Sequence, residues 1–162
     1  MSGGVAPTLI LDAAGMKVAI IASLWHDTVM EALVAGAVAA CDRAGATHEV
    51  IRVPGAFELP LGCQRVARLR KVDALVALGV VIRGGTPHFE YVCQAATAGL
   101  LRVGLDESIP IGFGLLTVET EQQALDRAGL AGSSEDKGAE AAEAAISMAL
   151  AQRVSESPVG FR

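Results

Sequence analysis

Ala74-Leu75-Val76-Ala77-Leu78-Gly79-Val80-Val81-Ile82 is an apolar run of nine residues, and Arg83-Gly84-Gly85-Thr86-Pro87-His88 follows it at once. The run is far too short to span a membrane. Its β-branched and aliphatic residues, with no polar alternation, predict a strand buried on both faces. Two glycines then break the pattern. Thr86 is a candidate cap and Pro87 suits a first helical position, so a helix is expected from Pro87 to about Leu105. A doubly buried strand that passes directly into a helix is the unit of a parallel sheet covered by helices.

The same alternation extends in both directions. Upstream, Val18–Ala22 is a short apolar run ending at Ser23. Thr28–Ala44 carries apolar residues at helical spacing, with Thr28-x-x-Glu31 as a capping box and Gly45 as its stop. Glu49–Val53 reads as a strand, and Leu59–Leu69 as a helix entered through Pro60. Downstream, Ile111–Thr117 reads as a fourth strand. Thr120–Ala128 reads as a short helix with a Thr-x-x-Gln box, stopped by Gly129, and Lys137–Ala151 as the last helix. The order β-α-β-α-β-α-β-α-α predicts an α/β three-layer sandwich: a four-stranded parallel sheet flanked by helices, doubly wound in the flavodoxin-like manner. One domain spans residues 1–162, with its core at about 18–151. The first dozen residues and the tail after about Arg153 read as loosely structured.

Composition narrows the function classes. Of the 162 residues 52% are hydrophobic but only 4% aromatic, so the apolar mass is aliphatic. A small domain this apolar is expected to bury its excess between subunits. The net charge of −5 and the lack of a basic run argue against nucleic acid as a partner. Cys41, Cys63 and Cys93 are far apart and odd in number, which suggests neither a disulfide framework nor a zinc site. Nothing near Met1 marks secretion and no run reaches spanning length, so a cytoplasmic protein without a membrane partner is expected.

A parallel sheet of this kind binds ligands at the carboxyl ends of its strands. After the first strand stands Trp25, the only Trp, either a platform for a heteroaromatic ring or a packing aromatic. After the second comes Pro54-Gly55-Ala56-Phe57-Glu58-Leu59-Pro60, a tight turn into a helix. Its Glu58 could hold a polyol or serve as a first-turn carboxylate. After the third, the glycines permit close approach to the backbone and His88 falls in the first helical turn. The positive helix end there disfavours imidazolium, so a neutral ring that accepts and returns a proton is expected. Phe113 stands between Gly112 and Gly114, where a close approach to the backbone is expected. Arg127 is placed in the last turn of the short helix, where a cation is favourable. Lys137 opens the last helix, where it is not, although Glu135 and Asp136 could offset the cost. Two cations without a basic patch suit one small phosphate. His26 and His48 form no ligand pair with His88, so no metal is indicated. No Gly-x-Gly-x-x-Gly, Walker loop or Cys-x-x-Cys points to a nucleotide or redox cofactor. A crevice with one poised histidine is defined; its substrate is not.

At these same loops the chain resembles the lumazine synthase family. Pro54–Pro60 is similar to one family signature, and Leu78-Gly79-Val80-Val81-Ile82-Arg83-Gly84-Gly85-Thr86-Pro87-His88-Phe89-Glu90-Tyr91-Val92 to another. Phe113-Gly114-Leu115-Leu116-Thr117, Glu121-Gln122-Gln123-Ala124 with Arg127-Ala128-Gly129, and Lys137-Gly138-Ala139-Glu140-Ala141-Ala142 follow in family order, so the likeness runs from about Val18 to Ala151. The resemblance implies condensation of 5-amino-6-ribitylaminouracil with 3,4-dihydroxy-2-butanone 4-phosphate to 6,7-dimethyl-8-ribityllumazine, with loss of phosphate and water and no cofactor. Riboflavin synthase would act next. Trp25 would stack on the pyrimidine, where many members have Phe. Ala56, Phe57 and Glu58 would hold the ribityl chain, helped by the backbone at Val81 and Ile82. Gly85 and Thr86 would lie against the phosphate, and His88 would move protons. Phe113 and Lys137, on the pyrimidine and ribityl chain, and Arg127, pairing with the phosphate, would come from a neighbouring subunit.

The resemblance also implies a homopentamer or a sixty-subunit icosahedral shell, with the N-terminal segment as a candidate extra strand on a neighbour's sheet. Ala95 stands where many members have Glu. The link Leu130–Asp136 is longer than in shell-forming members, which favours the isolated pentamer. A non-catalytic flavin- or lumazine-binding protein, or a purely structural shell protein, is the alternative; it would be expected to lack His88 or Arg127, and both are present.

Overall fold

The computed structural model describes residues 10–155. Ten elements follow in order: β1 (Lys17–Ser23), α1 (Asp27–Ala44), β2 (Thr47–Val53), a 3-10 turn (Ala56–Glu58), α2 (Leu59–Leu69), β3 (Ala74–Ile82), α3 (His88–Asp106), β4 (Ile111–Val118), α4 (Glu121–Leu125) and α5 (Lys137–Ser155). The strands are all parallel in the order β2-β1-β3-β4. The doubly wound α/β sandwich is therefore the fold. Pairing of Ser23 with Val53 and of Ile82 with Val118 brings the carboxyl ends of the strands to one edge.

The nine-residue run β3 and its neighbour β1 form the buried centre of the sheet. β2 is an edge strand and only Val53 in it is fully buried, so the helical cover is complete at the centre alone. One face packs against α1 and α5, in a cluster that includes Val29, Leu33, Ala142 and Ile146. The other packs against α2 and α3, where Leu59, Cys63 and Val66 meet Ala96, Leu100 and Val103. These spacings of three, four and seven put one stripe of each helix toward the sheet.

Small residues let the first face close tightly. A β-carbon on Gly138 would lie 2.0 Å from the Leu33 carbonyl oxygen, and one on Gly112 would lie 2.0 Å from that of Ala141. The backbones of α5 and α1, and of α5 and β4, are in contact there. The close approach read from Gly112-Phe113-Gly114 is thus made by α5 rather than by a ligand, with Phe113 on the opposite side of the strand.

Several boundaries differ from the sequence reading. α1 begins at Asp27 and no side chain caps it. His26 takes the N-cap position in the left-handed region (φ 65°, ψ 65°), so Thr28 and Glu31 lie inside the helix and do not form a capping box. Gly45 does end it, at φ 76°. Pro87 is the N-cap of α3 rather than its first helical residue, and Thr86 does not cap. α4 stops at Leu125, so Arg127 lies beyond the helix, while Thr120 accepts the Gln123 N–H as its cap. The candidate extra strand at the N-terminus lies mostly outside the described residues. Among those described, no helix is long and apolar enough to cross a membrane.

Candidate active site

The loop after β1 is anchored from two sides. Ser23 is buried, its hydroxyl donating to the Met30 sulfur at 3.6 Å. Arg52 on β2 reaches the Ser23 carbonyl at 3.5 Å and Glu31 at 2.5 Å. The left-handed turn at His26 closes with the Met30 N–H donating to its carbonyl, and Trp25 is left 69% exposed. A non-glycine residue in this region is uncommon, and such strain concentrates at functional sites.

Trp25 faces the turn after β2. A β-carbon on Gly55 would lie 3.7 Å from the Trp25 ring and 3.1 Å from a Glu58 carboxylate oxygen. The indole and the carboxylate therefore converge on one bare stretch of backbone. Phe57 is 62% exposed beside them.

From the third loop comes His88, exposed in the first turn of α3. Gly84 and Gly85 have open space where a β-carbon would stand, so packing does not require them and a ligand can approach their backbone. Trp25, Ala56, Phe57, Glu58, Val81, Ile82 and His88 all line a single crevice of about 380 Å³. His26, Val80 and Val92 line it as well, which the sequence reading did not anticipate.

Arg83 was also missed. Its guanidinium pairs with Glu119 at 2.6 Å and with Glu90, and lies 4.1 Å over the Phe89 ring. Its backbone N–H donates to Val118. These contacts clip the His88 loop to the end of β4. Hydrogen bonds that it donates to Glu119 and Glu90 hold Arg83 more firmly protonated than usual, and Arg83 holds the Glu90 carboxyl below the ordinary carboxylate range. A signal existed in Arg83-x₅-Phe89-Glu90, but the Glu119 contact depends on β3–β4 register.

The remaining candidates lie elsewhere in the chain. Phe113, half exposed, borders a second hollow of about 620 Å³ with Leu101, Leu105 and Met148, which shares no lining residue with the crevice. Arg127 and Lys137 meet at the turn between α4 and α5, where Lys137 N–H donates to the Arg127 carbonyl. The Arg127 guanidinium donates to the Gln123 carbonyl at 2.9 Å and stands 3.6 Å from Glu135. Lys137 pairs with Glu135 and with Glu140. The link from Leu130 to Asp136 folds back compactly, with Ser133, Ser134 and Glu135 bonded to Leu125 and Asp126. Among the described residues no three His, Cys, Asp or Glu converge as metal ligands.

Comparison with known proteins adds to this geometry. The family model described as 6,7-dimethyl-8-ribityllumazine synthase matches residues 15–153. A protein of that name from Kocuria rhizophila is 58% identical over 93% of this chain and 97% of its own length. Those from Kineococcus radiotolerans and Streptomyces coelicolor are each 54% identical, over 99% and 98% of this chain and 100% and 99% of their own.

Proposed function

The chain belongs to the 6,7-dimethyl-8-ribityllumazine synthase family, and from that premise we propose how its crevice performs the synthase reaction. The observation that carries the proposal is the convergence of Trp25, Glu58 and His88, from three separate strand ends, on one hollow. The substrates are 5-amino-6-ribitylaminouracil and 3,4-dihydroxy-2-butanone 4-phosphate. The exposed face of Trp25 takes the pyrimidine ring by stacking. The Glu58 carboxylate, an acceptor only when ionised, takes ribityl hydroxyls, with Ala56, Phe57 and the backbone of Val81 and Ile82 along the chain. Gly85, whose backbone is open to approach, and the neighbouring Thr86 take the phosphate.

The chemistry then needs proton transfers. The pyrimidine's amine attacks the ketone, a Schiff base forms with loss of water, phosphate leaves, and the second amine closes the ring with loss of water. His88, at the rim beside the phosphate loop, accepts and returns the protons. Holding the two substrates side by side supplies much of the acceleration.

The phosphate's cation, Arg127, comes from a second copy, together with Phe113 and Lys137 for the pyrimidine and ribityl chain. Arg127, Lys137 and Phe113 do not line the crevice of their own chain, and the apolar hollow at Leu101, Leu105 and Met148 offers a surface for a neighbour. The assembly is a homopentamer, preferred to the sixty-subunit shell on the length of the Leu130–Asp136 link. Free thiols at Cys41, Cys63 and Cys93 suit the reducing cytoplasm. Riboflavin synthase is the consumer of the product. Mixing the two substrates with the protein should give lumazine absorbance and phosphate together; binding of the pyrimidine without either product would make the protein a ligand carrier instead. Light scattering distinguishes pentamer from shell.

A further inference from the structure

Arg83 joins the two ends of the loop that carries His88. It is the first residue after β3, and its backbone N–H donates to the Val118 carbonyl at 2.9 Å. Its side chain then turns across the loop. The guanidinium lies 4.1 Å over the Phe89 ring, pairs with Glu90 in the first turn of α3, and donates through Nε to Glu119 at 2.6 Å. Residues 84–88 are thus enclosed between Arg83 and the start of α3, and both are tied to the residue that follows β4. Glu119 is itself held, its N–H donating to the Gln123 side chain at 2.8 Å.

The enclosed stretch has little else to fix it. Gly84 and Gly85 have nothing within 4 Å of the place a β-carbon would take, and glycine has the widest choice of backbone conformations. No side chain caps α3. Among the described residues, neither Thr86 nor His88 has a side-chain hydrogen bond or ion pair. Arg83 does not line the crevice, and its donors are directed at the two carboxylates.

We propose that Arg83 is a positioning residue: with Glu119 and Glu90 it staples the Gly84–His88 loop in the conformation that meets the phosphate and the transferred protons. The inference rests on the reading above, which gives Gly85 and Thr86 to the phosphate and His88 to proton transfer. Apparent affinity falls with the fraction of molecules in the competent state. The side chains of the staple are 38–57% exposed, so its loss should reduce that fraction by roughly two- to five-fold.

The test combines steady-state kinetics with amide hydrogen exchange on the full-length assembled protein. Arg83→Met keeps an apolar stem over Phe89 and removes the charge. Arg83→Met and Glu119→Ala should each lower kcat/KM for the butanone phosphate by roughly two- to five-fold. The KM for the pyrimidine, held by Trp25 and Glu58 on other loops, should not move. The double variant should be no worse than the worse single one, because both remove the same contact. Arg83→Lys is a point charge that cannot bridge both carboxylates, so it should recover only part of the loss. If Arg83 touched the phosphate itself, Glu119→Ala would free it and raise kcat/KM. That rise, an unchanged value in either single variant, or an additive loss in the double variant overturns the proposal.

Hydrogen exchange tests the staple apart from the chemistry. In Glu119→Ala the amides of Arg83 and Glu90, bonded to Val118 and Pro87, should exchange faster by a similar factor, while those of β1 stay as in the parent. Unchanged exchange overturns the proposal even if activity falls. Faster exchange in a protein whose parent makes no lumazine would leave the staple standing and sink the reading of the site. Should Arg83→Met not assemble, Glu90→Ala opens the same staple from its other end and carries the same expectations.

Discussion

The two faces of the sheet are built to opposite ends. On the α1–α5 face, backbone lies against backbone: Gly138 meets the Leu33 carbonyl and Gly112 that of Ala141, with no room for a β-carbon. On the α2–α3 face the inner stripe is buried, but Leu61, Leu69, Tyr91, Leu101 and Leu105 stand 60–73% exposed on the outside. The closed face fixes the fold. The open face leaves apolar side chains exposed, the surface proposed above for a neighbour, and its helix α3 begins with His88. Damage to the first should cost stability, and damage to the second should cost function while the fold survives.

The most severe break in that contrast is Gly138→Ala. The added carbon would meet main chain, which cannot rotate away, so a loss of more than about 4 kcal/mol is expected. For a domain of this size that lowers Tm by about 10 °C or more. A Tm within about 2 °C of the parent would show that α5 shifts freely on α1, and the closed face would be no different from the open one.

Leu105→Glu attacks the other side. Leu105 is 70% exposed, so the single chain should keep its far-ultraviolet circular dichroism. The variant should sediment as smaller species, and activity should fall on the order of a hundred-fold, as expected when site residues from a neighbour are misplaced. A variant that remains assembled and active would move the subunit contact away from this face.

A smaller effect is expected from His88→Ala: kcat about ten-fold lower, at the low end of general acid–base contributions, because both substrates are still held together. Substrate KM values should change little. Complete loss of activity in a folded, assembled variant would mean that His88 does more than carry protons.

The mildest test concerns thiols. Cys41 belongs to the closed face and Cys63 to the open one. Burial pushes the first up to about 11, with Asp42 adding to it, and the second up to about 12. Raised values favour the protonated folded state, so this stabilisation is intact below pH 9 and fades as pH rises from there toward 11 and 12. Neither thiol should react with iodoacetamide at pH 8 while the protein is folded. Labelling of Cys63 alone would show that the open face loosens beneath its surface as well.

How much of this was legible in the sequence follows from where the determining contacts lie. The bounds of β3 and α2 are local: a long aliphatic run sets the one, and Pro60 with Leu59, Cys63 and Val66 sets the other. The candidates that line the crevice were legible because each stands at the carboxyl end of a strand or in the loop that follows it. The start of α1 was not, since the left-handed His26 has no sequence mark as plain as a capping serine. The glycines beside Phe113 announced a close approach but not its author, because a helix almost thirty residues later makes it. Arg83 needed the pairing of Ile82 with Val118 to bring Glu119 within reach.

The single indole at the mouth of the crevice has an optical consequence. Trp25 is the only tryptophan and is largely in water, so its fluorescence should be red-shifted and should arise from the site alone. A heteroaromatic ring stacked on it would exchange water for a π-face and an energy acceptor, quenching that emission. If Trp25 takes the pyrimidine as proposed, the protein carries its own reporter of occupancy: pyrimidine binding should be titratable by light, in the unmodified chain, without waiting for turnover.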